Sequence, residues 1–546
     1  MINRLFGIQI AKRDDPLANE KSVRLWASGL PPNDPVGGIE AISRLLESAR
    51  AAQPAATHDC LRALLELDRA AMPLQAQLQA QSRMATMSDD VRQRLWRGCD
   101  NVARGFAHKY EEVCQAVQAE GDHKKVRAEL HGVFARMFYY TGVQYCQALF
   151  RYEQWIPGKW RQLHAAYREA CRHGVVAEAF ALEATAGPAE RLSPEQEYLQ
   201  ILLLQRMNTG NLTAQQIDWA AAWLRGLAHL LRLAMGQLEG DGFWLDLGRG
   251  EGLVHRRPAS PAGDVLYLDV MPLHAHLATL VPRLEVQAAA NPGQAELSEQ
   301  LALARRLDQL WRPQAAQEPR RGARRPAYQG VHVAAGWAEI TVALSAKTIQ
   351  KSSAPQGYHY DDYGRLRQNK DGQRGTGDPR RMDPDAWQVR DASDSDVRIC
   401  SSSRRAARQR PGVLLALQFE DDPRWQLGIV RRLKRLDAEQ IELGVEIIAA
   451  NAALVLAREL DVRDTGYSVD GVDIGQKGKS FSALYLPSPQ AHTRVAPAVS
   501  LVLQPAEYAK GRLLSLLVDG HYQDACLSAA QERTKDWVWT RLEDIR

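Results

Sequence analysis

The chain is poor in cysteine. Seven occur in 546 residues (Cys60, Cys99, Cys114, Cys146, Cys171, Cys400 and Cys526), and no two form a C-x-x-C pair. Such usage predicts a reducing compartment and points to neither a disulfide framework nor a zinc site. Long apolar runs are missing too: no stretch approaches the ~18–20 residues that a membrane helix needs. The opening MINRLFGIQIAKRDD has too short and interrupted an apolar run for a signal peptide, so a cytoplasmic protein is expected. Charge of one sign is scarce as well. Lys and Arg number 69 against 65 Asp and Glu, a formal net charge of +4. That is too little for a surface coated in base to hold bulk nucleic acid, although a local patch stays open.

The usual marks of catalysis are also lacking. There is no serine elbow, no H-E-x-x-H and no convincing carboxylate pair; Asp361-Asp362 and Asp421-Asp422 read as solvated turns. In VDIGQKGKSF, Gly478-Lys479-Ser480 imitates a phosphate loop, but the glycine required five positions earlier is Asp473, which would repel phosphate, so a β-turn is expected. His274 and His276 in MPLHAHLATL have no cysteine or acidic cluster beside them and read as surface histidines rather than metal ligands. Trp155, Trp160, Trp219, Trp223 and Trp244 read as core. A non-enzymatic protein without a metal or cofactor is the expectation.

What is present is a division in texture. At this length two to four domains are expected. Residues 1–240 carry helical periodicity: Asp34 and Pro35 can open a helix whose stripe is Ile39, Ile42, Leu45, Leu46 and Ala49. Ser193 with Gln196 and Thr213 with Gln216 are capping boxes ahead of apolar runs. An all-helical bundle or array follows. Residues 241–318 read as a connector with a hairpin and a helix. From 319 to 455 short, branched, alternating segments predict an antiparallel barrel, running through YQGVHVAAGWAEITVAL, AWQVRDASDSDVRIC, GVLLALQF, RWQLGIVRRLKR and IELGVEIIAA. A polar stretch at about 346–386 is expected to be a disordered insertion in it. Residues 456–546 predict either a second β domain or an extension of the barrel. The fold class is α+β, multidomain.

Arg320, Arg321, Arg324 and Arg325 crowd four guanidinium groups ahead of the first of these strands. Arginine's rigid fork grips phosphate bidentately and its flat face stacks on bases. Pro326 keeps Arg325 extended and out of a helix. A basic linker would look similar, but a second element follows in WQVRDASDSDVRIC, where Asp391 and Ser393 form a D-x-S turn. Its carboxylate can accept from the N–H groups on a guanine edge, and its hydroxyl can donate or accept.

Those residues resemble the PilZ domain family, whose pattern is R-x-x-x-R at the start of a six-stranded barrel and [D/N]-x-S-x-x-G on a neighbouring strand turn. The resemblance covers about 320–450 and extends to the later strands, where GIVRR and ELGVE look like the family's closing pair. It implies binding of cyclic di-GMP, with Arg321 and Arg325 as the first element, Arg320 as the extra arginine, and Asp391 and Ser393 as the second. The wider layout is similar to that of bacterial proteins that join a helical N-terminal region to a PilZ-like C-terminal half. Two departures stand out: Asp396 occupies the motif glycine's place, and the long insertion parts the two elements. Arg404 and Arg408 also fit R-x-x-x-R, but they follow the turn and read as a basic loop. Three readings compete. The first is a cyclic di-GMP receptor that changes how the helical region meets an unidentified protein partner. The second is an adaptor of the same fold that has lost the ligand, with Asp396 as its sign. The third is nucleic-acid binding through the arginines and the RRLKR strand, ranked last because charge is small and no stacked aromatic platform accompanies them.

Overall fold

The computed structural model describes residues 16–544 apart from 32, 51–57, 83–86, 121–127, 182–190, 208, 236–241, 256, 292–293, 312–324, 352–357, 361–365, 369–386, 394, 403–405, 407–408, 438–439, 461–478, 488–498 and 519. The chain divides into two compact units. One runs to Ala316 apart from the short Pro292–Glu296, and the other continues from Gln317 to the end.

The first unit holds α1 (Glu20–Ala27), α2 (Pro35–Arg50), α3 (His58–Ser82), α4 (Asp89–Glu120) and α5 (Leu130–Phe150). Then come α6 (Pro157–Arg172), α7 (Pro194–Arg206), α8 (Ala214–Leu227), α9 (Met271–Ala290) and α10 (Ala295–Trp311). Asp34 Oδ1 accepts from Gly37 N at 2.9 Å, and Pro35 takes the first helical position, where its missing N–H costs nothing. Both capping boxes close: Ser193 and Gln196 exchange hydrogen bonds at the start of α7, and Thr213 and Gln216 do so at the start of α8. The predicted stripe on α2 is inside, with Ile39, Ile42, Leu45 and Leu46 buried. A two-stranded hairpin, β1 (Phe180–Ala181) with β2 (Arg191–Leu192), precedes α7.

Two buried carboxylates in this unit are paired, which offsets their desolvation. Asp68 on α3 accepts hydrogen bonds from Tyr110 Oη at 2.6 Å, and from Tyr140 Oη and the Arg136 guanidinium. Burial first, and the Asp68 charge second, hold both phenols well above the ordinary tyrosine pKa. Glu197 on α7, 2% exposed, receives both ends of the Arg225 fork at 3.0 and 2.6 Å. Burial raises the Glu197 pKa, and the Arg225 charge acts against that rise.

Two details here differ from the sequence expectation. The helix expected through IDWAAAWLRGLAHLLRLAM stops at Leu227; after a 3-10 turn, Leu233–Met235 form β3, an outer strand of a small sheet ordered β3-β5-β4. Its other strands are β4 (Phe243–Asp246) and β5 (Val265–Leu268), so the expected hairpin has a third member supplied from the helical side. His274 and His276 lie on a helix, α9, where His274 Nδ1 meets Asp308 Oδ1 at 3.0 Å. Among the described residues no cluster of His, Cys, Asp and Glu could hold a metal, and no helix is long and apolar enough to cross a membrane.

The second unit is built of two closed antiparallel rings. The first uses β7 (Gly330–Ala335), β10 (Trp387–Ala392), β11 (Asp396–Ser401), β12 (Leu414–Phe419), β13 (Asp422–Arg435) and β14 (Ile441–Ala449). Their order is β11-β14-β13-β12-β7-β10, and pairing of β10 with β11 closes the ring. A two-residue strand, β6 (Arg325–Pro326), continues the line of β7 along β10 beyond the end of β12. A small hairpin, β8 (Tyr358–Tyr360) with β9 (Leu366–Gln368), lies between β7 and β10 in the chain. The second ring, β15 (Ala453–Glu459), β16 (Ser480–Leu486), β17 (Ser500–Leu503), β18 (Leu513–Val518), β19 (His521–Arg533) and β20 (Val538–Asp544), closes in the order β15-β16-β17-β20-β19-β18. The chain is thus helical in its N-terminal half and barrel-forming in its C-terminal half.

One strand expected in the first ring is cut short. The run YQGVHVAAGWAEITVAL leaves the sheet at Ala335, and α11 (Gly336–Lys351) begins. Gly336 has φ +76°, a left-handed conformation that glycine adopts freely, and this turns the chain out of the strand. Glu339 Oε2 then accepts from the Ala335 amide at 3.0 Å and satisfies a donor at the helix start. Trp337, Ile340 and Leu344, at helical spacing, pack into a core shared by α11, the first ring (Leu414, Leu427) and the second ring (Leu484, Trp537). The expected insertion at 346–386 therefore opens with helix as far as Lys351; apart from β8 and β9 the rest lies outside the described residues.

The rings are also joined by polar contacts. Trp537 Nε1 donates to Gly412 O at 3.0 Å, and Arg410 meets Asp536 at 2.9 Å. Arg431 on β13 donates to Glu446 on β14 at 2.6 Å and to both oxygens of Glu532 on β19 at 2.6 and 2.7 Å. Burial opposes its charge, but the two glutamates more than offset this and leave its pKa above the ordinary arginine value.

Candidate functional site

The two sequence elements meet at one end of β10. In the β6–β10 ladder Arg325 is the Cα partner of Ala392, the residue between Asp391 and Ser393, and Pro326 is the partner of Asp391. Ala327 N donates to Arg390 O at 3.2 Å and Val389 N to Gln329 O at 3.0 Å, so the segment 325–329 is fastened to β10. Arg325 is exposed there. Arg320, Arg321 and Arg324, with Arg404 and Arg408, lie outside the described residues.

β10 ends at Ala392 and β11 begins at Asp396. Ser393 N donates to Asp396 O at 2.8 Å, and Asp396 N donates to Ser393 Oγ at 3.1 Å, which makes the serine a cap for its own turn. Asp391 meets a partner that the sequence reading did not assign: Arg398 Nε lies 3.2 Å from its Oδ2, and the same guanidinium reaches Glu442 at 3.8 Å. The alternation V-R-I-C in β11, folded back as a hairpin, would have placed Arg398 opposite Asp391, which is the observed register. The ladder shifts between Val389 and Asp391, and Arg390 at this bulge donates from Nε to Cys400 Sγ at 3.1 Å. That hydrogen bond, ahead of smaller effects from Tyr328 and Glu442, raises the Arg390 pKa.

Asp396, in the place of the motif glycine, begins β11 with its Cα paired to Glu446 on β14. It sits in a regular ladder, so the departure changes charge and volume rather than imposing a backbone that only glycine allows. Asp396 is buried there, and the Glu446 carboxylate on the paired strand is held by Arg431 at 2.6 Å. Glycine does matter in GIVRR. A Cβ on Gly428 would lie 2.6 Å from Val445 Cγ1 and 3.0 Å from Glu446 O, where β13 bulges against β14.

The alternatives are narrowed. Lys479 of the false phosphate loop pairs with Glu507 at 2.6 Å and Ser480 opens β16. In the RRLKR strand, Arg431 is committed to Glu446 and Glu532. Trp160 is buried and Trp155, Trp219 and Trp223 are packed on the same core.

Residues 21–237 match the family described as the N-terminal domain of the cyclic-di-GMP receptor FimW. No curated protein and no solved structure matches the chain. The match covers most of the helical region, α1 to α8, and stops short of both rings.

Proposed function

We propose that this chain is a cyclic di-GMP receptor that works by binding rather than by catalysis. In this reading the first ring, a PilZ-like barrel, takes the dinucleotide through Arg320, Arg321, Arg324, Arg325, Asp391 and Ser393. The helical unit then meets a protein partner differently according to whether ligand is bound, which requires the ligand to favour one arrangement over the other. The observation that supports the reading is the pairing of Arg325 with Ala392, which brings the last arginine of the cluster to the D-x-S turn across the whole insertion. The match of the helical region to the N-terminal domain of a cyclic-di-GMP receptor supports it from the other end of the chain.

The Arg398–Asp391 pair is a modest obstacle. Its side chains are 36% and 19% exposed, and a pair so placed is worth no more than about 1 kcal/mol. One hydrogen bond between ligand and a charged group returns about 1.5–3 kcal/mol. Guanine at Asp391 would exchange one charge-assisted contact for another, so the pair sets no large barrier to the ligand.

Titration calorimetry of the full chain with cyclic di-GMP is the test. Arg321→Ala or Arg325→Ala should weaken binding by about 1.5–3 kcal/mol, and Arg404→Ala or Arg408→Ala by much less. Asp396 in the place of the motif glycine favours one second reading, an adaptor that has lost the ligand. Binding by Asp396→Gly with none by wild type at high micromolar ligand would establish that second reading. Binding by neither would leave the arginines a linker.

A further inference from the structure

We propose that Tyr328 is the base-stacking wall of the dinucleotide site, a role that rests on the cyclic di-GMP reading above. Its side chain is 81% exposed, more than any other large hydrophobic residue among those described. An isolated exposed aromatic needs no explanation by itself. This one is set apart by how it is held and by what stands around it. The amide just before it, Ala327 N, is bonded to Arg390 O, and the carbonyl just after it, Gln329 O, is bonded to Val389 N. The ring therefore projects from a backbone fixed on both sides. Arg325 stands three residues upstream, and Arg390, directly preceding Asp391, lies on the strand alongside with its guanidinium pinned by Cys400 Sγ.

A flat, wet ring on a rigid segment, with the Arg390 charge close by and Asp391 next along the same neighbouring strand, matches a purine nucleotide in each of its parts. The ring supplies the π-face, the arginines the charge for phosphate, and Asp391 the edge. A tyrosine has only two side-chain torsions to fix, so ordering it on binding costs little. A lone ring suits one base of a compact dinucleotide. A long single strand would need a succession of them.

Titration calorimetry on the full chain with cyclic di-GMP, together with thermal melting of each variant, tests this. Base–aromatic stacking is worth about 1–3 kcal/mol per base, so Tyr328→Ala should bind about tenfold more weakly with an unchanged melting point. Tyr328→Phe, which keeps the face and loses the hydroxyl, should stay within about twofold of wild type. Tyr328→Leu, apolar without a π-face, should resemble the alanine variant. Wild-type affinity in Tyr328→Ala or Tyr328→Leu would overturn the stacking role while leaving the receptor reading intact. A wild-type chain that does not bind cyclic di-GMP overturns both, because the ring then has no base to meet.

Discussion

Arg431→Met tests how the two rings are held together. The substitution keeps most of the apolar stem and deletes three charge-assisted hydrogen bonds, one to Glu446 and two to Glu532. Removing one partner of a fully buried ion pair costs about 3–5 kcal/mol, whereas an exposed pair is worth about 1 or less. Glu446 and Glu532 are 26% and 28% exposed, so water can partly solvate them once the arginine is gone. An intermediate loss of about 2 kcal/mol follows. The assay is urea unfolding of the full chain, with amide exchange followed in peptides from β13 and β19. A cycle with Glu532→Gln isolates the inter-ring part. A loss below about 0.5 kcal/mol, or an Arg431→Met effect unchanged in the Glu532→Gln background, would refute the claim that this triad joins the rings.

Arg225→Met should cost about 3 kcal/mol near neutral pH by leaving Glu197 buried without its cation, and the cost should depend on pH. The Glu197 pKa is already raised above 4.5 by burial and would rise further, so the native state holds its proton more tightly than the unfolded chain does. The deficit should therefore be small near 4.5, grow as pH climbs through the folded pKa and level off above it; a pH-independent deficit in chemical denaturation would contradict the pairing. Gly336→Ala should destabilise the second unit by about 1 kcal/mol, because the left-handed backbone penalises a Cβ even though nothing lies within 4 Å of it. A melting point equal to wild type would argue against the strand-to-helix turn. Ser193→Ala should cost about 1 kcal/mol by opening the α7 capping box, seen as faster amide exchange at Glu195–Glu197.

Legibility followed sequence distance. Capping boxes at Ser193 and Thr213, the apolar run in GVLLALQF and the branched residues of IELGVEII involve neighbours only, and each became the expected element. The helix at 336–351 was hidden because branched residues in AEITVAL imitate a strand, although Trp337, Ile340 and Leu344 already had helical spacing. β3 was hidden in a leucine-rich run whose tertiary partner, β5, overrode local helix propensity. Of the site, the meeting of Arg325 with the D-x-S turn was anticipated from motif order. Arg398's hold on Asp391 needed hairpin register, and Arg431's on Glu532 joins residues in different rings that no local pattern relates.

The short strand β6 has a consequence for how this protein avoids sticking to itself. Each ring closes, so its strands have neighbours on both sides, but β6 overhangs β12 and, among the described residues, presents one side with no strand beside it. Such sides recruit strands from other chains and seed aggregation. Because Ala327 N points at β10, the alternate amide, at residue 326, faces outward, and there the chain has proline, which has no hydrogen to donate. Its neighbour Arg325 adds charge that a docking strand would have to desolvate. The two residues that open the candidate site thereby also blunt the overhanging edge, and replacing Pro326 should trade solubility for a new strand-pairing surface even if ligand affinity is unchanged.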